Sequence, residues 1–383
     1  MRFRGLTVVI SCVALVQALP TLITGRNHKW DRTSPEEGDL VVGSNHFEME
    51  YKTISEALAA LGPTGGNVFV YPGVYHEQVV LNKTGPIKIQ GYTSDARDYK
   101  NNQVVITYGL DAVSVNKSND LSGTVRAESA GVNLYNLDIE NTYGKCTHLS
   151  DNVVMHTFTL VFIALLDSSF KGHYTAGCQC QAIALSAQAG KQGYYGVKLT
   201  GYQDTLLANI GTQIYSKSCI AGAVDFIFGQ NASVYIYKSD IVSTAEGNIT
   251  APGGTDENAH QVFVFHKSNI IPAYDAATNV TGNGTGNVFL GRPWKAFGKT
   301  IYRNSYIGDH VNPVGWKIWN VATPNVNQST LAEYKNYGPG SYYANRAERA
   351  SFAQELTQSE AENYTITAVL GLDYESWVDL DYV

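Results

Sequence analysis

Charge is scarce in this chain: 16% of its 383 residues are Asp, Glu, Lys or Arg, and no basic run is longer than two. The formal net charge is −7, so the cationic surface that nucleic-acid binding needs is missing. An acidic balance still permits an anionic polymer substrate wherever cations line a site locally. Long apolar runs are missing too. Beyond the N-terminus none reaches the roughly 18 residues of a membrane span, and MHTFTLVFIALL at 155–166 is too short. Cysteine is sparse: Cys12, Cys146, Cys178, Cys180 and Cys219 make no disulfide scaffold and fix no pairing. The close pair Cys178 and Cys180 lacks the second ligand pair of a zinc site.

Helical periodicity is also rare. YKTISEALAAL (51–61) places Ile54, Leu58 and Leu61 on one face before Gly62-Pro63 ends it, and RAERASFAQELT (346–357) has a similar texture. Between them, short β-like runs such as NVFVY, PIKIQG, QVVITYG, YYGVKLTGYQ, SVYIYKSDIV, QVFVFHKSNII and KTIYRNSYIG are separated by Gly, Asn and Asp. They do not alternate with helices, which argues against a doubly wound fold or a β/α barrel. They also lack the two-residue hairpin signals of an antiparallel sandwich, the remaining alternative.

The N-terminus has the grammar of a secretory leader. Arg2 and Arg4 precede LTVVISCVALV and then the small and turn residues of QALPTLITG. Residues 1–20 are therefore expected to be removed, with a buried helix as the alternative, leaving 21–383 as one domain. Sequons at Asn82, Asn116, Asn231, Asn248, Asn279, Asn283, Asn327 and Asn363 agree with secretion.

Polar motifs recur at a coil-like interval. Gln181 precedes Gln203 by 22 residues, and Asp204 precedes Asp225 by 21. Coils of roughly 20–25 residues suit a solenoid. The expected fold is all-β, a right-handed parallel β-helix with a short N-terminal capping helix and a C-terminal tail of helix and loop. Neighbouring coils lie about 4.8 Å apart, which would gather Gln181, Gln203, Asp204 and Asp225 into one patch. Asp225 interrupts the apolar run of AGAVDFIFGQ, where a lone buried carboxylate costs several kcal/mol. Two carboxylates that close should titrate apart, one rising and one falling, as an acid and a base or nucleophile do. LGRPW (290–294) offers Arg292 to hold a carboxylate and Trp294 to face a sugar. Taken alone, that motif equally suits a surface arginine and a core tryptophan.

The ordered set GVYHE (73–77), QAIAL (181–185), GYQDTLL (201–207), VDFIFG (224–229) and LGRPW (290–294) resembles the pectin methylesterases. GWKIW (315–319) and EYKNYGPGS (333–341) extend the likeness over roughly residues 50–378. The resemblance implies a parallel β-helix, working without metal or cofactor, that hydrolyses the methyl esters of homogalacturonan to pectate and methanol. It implies Asp225 as nucleophile and Asp204 as acid and base, with Gln203 stabilising the oxyanion and Gln181 beside the same carbonyl. Arg292 would keep Asp225 ionised, while Trp294 and Phe228 would pack on the sugar. The partner would be methyl-esterified pectin, met outside the cell by a monomer, with no nucleic acid and no membrane. A β-helix galacturonan hydrolase or lyase, or an inactive carbohydrate-binding homologue, is the alternative. The chain departs from the pattern at Leu207, where many members have tyrosine, and in residues 145–178, which separate the preceding coil from QAIAL. That insertion, with its unbroken apolar run, reads as translated intron, a lid loop being the alternative.

Overall fold

The short β-branched and aromatic runs form strands of two to seven residues that never turn back on themselves but step into parallel partners. A computed structural model describes residues 30–43, 50–144, 180–257, 260–273 and 286–383. The expected leader and the insertion at 145–178 lie outside the described residues. Among the described residues, three parallel sheets have eleven, eight and seven strands, and successive coils contribute one strand to each sheet in turn. This is a parallel β-helix.

The register shows the repeat directly. Tyr194 pairs with Tyr215 and Tyr215 with Ile236, steps of 21 residues each. The steps lengthen to 29 at Phe265 and 37 at Tyr302, as loops are added between strands. Side chains of equal phase stack inside: the rings of Tyr194 and Tyr215 lie 4.6 Å apart at 11°, those of Phe265 and Tyr302 4.4 Å apart at 11°. Each stacked pair contributes about 0.5–1.5 kcal/mol beyond its buried area.

The corner between the eleven- and eight-stranded sheets is built the same way in successive coils. Lys217, Lys238, Lys267, Asn304 and Lys335 all have left-handed backbone, with φ of 51°, 46°, 54°, 49° and 47°. The next residue then accepts a backbone N–H from the coil before. Ser218 donates its N–H to Ser239 Oγ at 3.1 Å, Ser239 to Ser268 Oγ at 3.2 Å, Ser268 to Ser305 Oγ at 3.1 Å, and Ser305 to Asn336 Oδ1 at 3.0 Å. The ladder satisfies amides that the turn removes from the sheet.

One end of the solenoid is closed by the helix Ile54–Ala60, as its periodicity predicts. Thr53 and Glu56 form a capping box there, and Ile54, Ala57 and Leu58 are buried. The C-terminal tail does contain short helices, Gln358–Ala361 and Ile366–Leu370, but residues 346–357 are not helical. That stretch is turns followed by the edge strand Gln354–Glu355. The reason is Arg349, whose guanidinium forks onto buried Glu333 at 2.9 and 3.2 Å and donates to the Gly340 carbonyl at 2.7 Å. Satisfying a buried ion pair outweighs an intrinsic helix preference of a few tenths of a kcal/mol per residue. The last turn packs Tyr382 on Tyr135 and Tyr195, at 5.8 and 5.0 Å between rings.

Candidate active site

Gln181, Gln203 and Val224 pair in register across three coils, at the corner between the eight- and seven-stranded sheets. One residue further on, Asp204 and Asp225 share a corner position one coil apart, with φ of 64° and 49°. Aspartate tolerates the left-handed region better than most side chains, and here it tips both carboxylates off the strand line. The backbone holds them: Asp204 N–H donates to the Val224 carbonyl at 3.1 Å and Asp225 N–H to the Asn248 carbonyl at 2.7 Å. Gly247 lets the next coil close in, since a Cβ there would stand 2.2 Å from the Ala223 carbonyl oxygen.

Both aspartates are buried, at 7% and 5% exposure. Arg292, at the end of the strand Val288–Gly291, meets Asp225 with a two-point fork, Nε to Oδ1 at 3.0 Å and Nη2 to Oδ2 at 2.6 Å. Its guanidinium is also seated over the Trp319 ring at 4.4 Å. Burial pushes Asp204 well above the ordinary carboxylate range, and the charge of Asp225 adds to the rise. Burial raises Asp225 as well, but the Arg292 fork, the Asn248 side chain and Lys317 act against it. The expected order therefore holds, Asp204 above Asp225, although Asp225 does not fall below its ordinary value. The cost of desolvating two carboxylates outweighs one arginine.

The amides of Gln181 and Gln203 are half-buried, and neither side chain is committed to a hydrogen bond among the described residues. On one side of the pair, Ile183, Leu207, Phe228 and Ala251 form an apolar wall against which Trp294 and Trp319 pack. Trp294 meets Phe228 edge-on at 6.2 Å. They border a groove of about 430 Å³ that Leu207 also lines. On the other side Arg292, Lys317, Asn248 and Tyr202 line a hollow of about 330 Å³. The structure thus brings together Gln181, Gln203, Asp204, Asp225, Phe228, Arg292 and Trp294.

Three further residues join the site. Asn248, which the sequence presents as a sequon, is 5% exposed, and its side chain favours the ionised form of the neighbouring Asp225, so it is no glycan acceptor in the folded chain. Lys317 and Trp319 stand in GWKIW, a motif whose alternating side chains would have pointed at one face. Lys317 lies 4.0 Å from the Phe289 ring centre, and burial together with Arg292 lowers its pKa.

Comparison with known proteins agrees with this geometry. The Pectinesterase family model matches residues 155–373. A pectinesterase of Aspergillus aculeatus is 36% identical over 359 residues, covering 92% of this chain and 94% of that protein. One of Aspergillus niger is 34% identical over the same shares. Among solved structures, the Aspergillus niger pectin methylesterase superposes with a TM-score of 0.74 at 32% identity, covering 92% of this chain and all of that one. The carrot pectin methylesterase gives 0.70 at 26% identity, with 90% and 96% covered. The chain belongs to the pectinesterase family, carboxylic ester hydrolases that cleave the methyl esters of pectin.

Proposed function

We propose that Asp225 is the nucleophile and Asp204 the acid and base of this hydrolysis. One Asp225 oxygen attacks the ester carbonyl, and the oxyanion that forms accepts hydrogen bonds from the Gln203 and Gln181 amides. Collapse breaks the bond to the methoxy oxygen, which takes the Asp204 proton and leaves as methanol. Asp204, now ionised, removes a proton from water, and the resulting attack on the acyl–Asp225 anhydride frees the uronate and restores both carboxyl groups. The observation that carries this reading is the Arg292 fork on Asp225, one coil from a buried Asp204 without such a partner. An ionised attacker beside a protonated donor is the state the chemistry requires. Trp294 and Phe228 give the sugar an apolar wall. Methanol release from methylated pectin, without new reducing ends, separates this reading from glycosidic cleavage, and Asp225→Asn should abolish it.

We further infer that the chain is a single catalytic domain exported behind a cleaved leader and acting as a monomer on methyl-esterified pectin. Asn82, Asn116, Asn231, Asn327 and Asn363 of the sequons are exposed, as glycan acceptors must be. No helix among the described residues is long and apolar enough to cross a membrane. Glycosidase treatment of the culture-medium protein, with N-terminal sequencing, tests both points.

A further inference from the structure

The serine ladder's corner carries a second feature that the esterase chemistry does not use. The residue preceding each ladder position is a lysine in most coils, so Lys217, Lys238, Lys267 and Lys335 rise along one edge parallel to the solenoid axis, with Asn304 filling the remaining step. The step is about 4.8 Å per coil. Lys238, Lys267 and Lys335 are exposed and Lys217 half-buried, and no carboxylate is in ion-pair contact with any of them among the described residues. Asp240, which follows Lys238 by two residues, is engaged by Tyr99 at 2.8 Å and Asn269 at 2.9 Å. Lys217 donates to the Asp381 carbonyl at 3.1 Å, and Asp379 and Asp381 act on its charge against Lys238 and Arg97. The edge is thus a line of unbalanced positive charge on a chain whose net charge is −7. His266 registers that field: it is held down to about 4 by burial and by Arg303, Lys267 and Lys238.

Aromatic rings accompany the cations. Lys238 lies 4.8 Å and Lys267 5.8 Å from the Tyr237 ring centre, and Lys335 lies 5.1 Å from that of Tyr334. At the Lys335 end the edge opens into a hollow of about 370 Å³ lined by Tyr334, Tyr342 and Tyr343, whose two carboxylates, Glu333 and Glu355, are neutralised by Arg349 and Arg346. Cations at four of five successive coil steps, leading to tyrosine faces, match a linear polymer bearing one carboxylate per sugar.

We propose that this edge is a second, non-catalytic binding site for polyuronate, the de-esterified product of the family's own reaction. The reading rests on pectin being the substrate. The catalytic corner borders the opposite edge of the eight-stranded sheet, so one stretch of polymer cannot occupy both at once. The edge instead tethers the enzyme to segments already de-esterified and raises the local concentration of ester at the cleft.

The test is affinity electrophoresis of the full chain in gels containing polygalacturonate, comparing wild type with Lys238→Glu/Lys267→Glu/Lys335→Glu. Retardation of the wild type should weaken with salt, and the triple variant should lose most of it and much of its salt dependence. Methanol release from a short methylated oligogalacturonide should stay within about twofold (under about 0.5 kcal/mol), whereas release from dilute long-chain pectin should fall. The Lys→Arg triple variant should behave as wild type, which controls for folding. Equal retardation of wild type and the Glu variant overturns the proposal. So does equal retardation of the wild type by DNA or a sulfated glycan, which would make the edge a general anion surface. A wild type that releases no methanol from the oligomer would instead overturn the esterase reading.

Discussion

Asp204 and Asp225 hold the same corner position in successive coils, both with left-handed backbone, yet only Asp225 is gripped by Arg292 at 3.0 and 2.6 Å. Identical placement with unequal partners is what separates their protonation states. Replacing Asp225 with Asn should therefore remove methanol release while the fold is retained, since the amide oxygen still accepts one Arg292 hydrogen bond and the guanidinium, 26% exposed, stays seated on Trp319. The lost half of the fork should lower the melting temperature. Activity above about a tenth of wild type, a loss under about 1.4 kcal/mol, contradicts the nucleophile assignment.

The pH profile follows from the same inequality. Turnover needs Asp225 ionised and Asp204 protonated, so kcat/KM should rise as Asp225 loses its proton and fall as Asp204 loses its own. Burial and the Asp225 charge set that alkaline limb above the ordinary carboxylate range. Arg292→Lys keeps a cation but loses the fork, so the acid limb should move to higher pH and kcat should drop more than pectin binding weakens. A change in KM alone, with the limb unmoved, would make Arg292 a substrate clamp.

His310 gives a separate handle on stability. It is fully buried, neither ring nitrogen has a hydrogen-bond partner among the described residues, and burial lowers it to about 4 from 6.5. Its folded pKa lies below the unfolded one, so the neutral ring's contribution is intact above about pH 6.5 and is lost as pH falls toward 4. A shift of that size corresponds to about 3 kcal/mol. His310→Leu should flatten the loss of denaturation midpoint between pH 7 and 4.5, and identical slopes in both proteins would refute it.

Much of this was legible in the residues. The spacing of Asp204 and Asp225 reveals the coil, and the resemblance places Arg292 opposite them, because a solenoid turns sequence interval into neighbourhood. The corner repeat KS, KS, KS, NS, KN at 217, 238, 267, 304 and 335 was equally visible, but its uneven intervals conceal it from a search at fixed period. Asn248 carries a sequon's local pattern, and only the coil stacking reveals that it faces Asp225. The helix expected over 346–357 fails on a contact with Glu333, to which local periodicity is blind.

The coil around the insertion yields the last prediction. Asn141, which closes the strand Asp138–Asn141, donates its side-chain amide to the Ile183 carbonyl at 3.1 Å, as well as to those of Leu110 and Ser122. Leu185–Ala187 then pairs in register with Val125–Ala127 before it and Leu206–Ala208 after it. The next coil makes the same passage, from Thr200 to Leu206, in a short turn. The two sides of the insertion are thus already joined by hydrogen bonds within one coil, and nothing in that coil's register calls for residues 145–178. If those residues are translated intron, tryptic mass spectrometry of the secreted protein should find a peptide running from Ala127 through Gly144 directly into Gln179–Lys191. Detection of the Cys146–Lys171 peptide would show that the insertion is part of the natural chain.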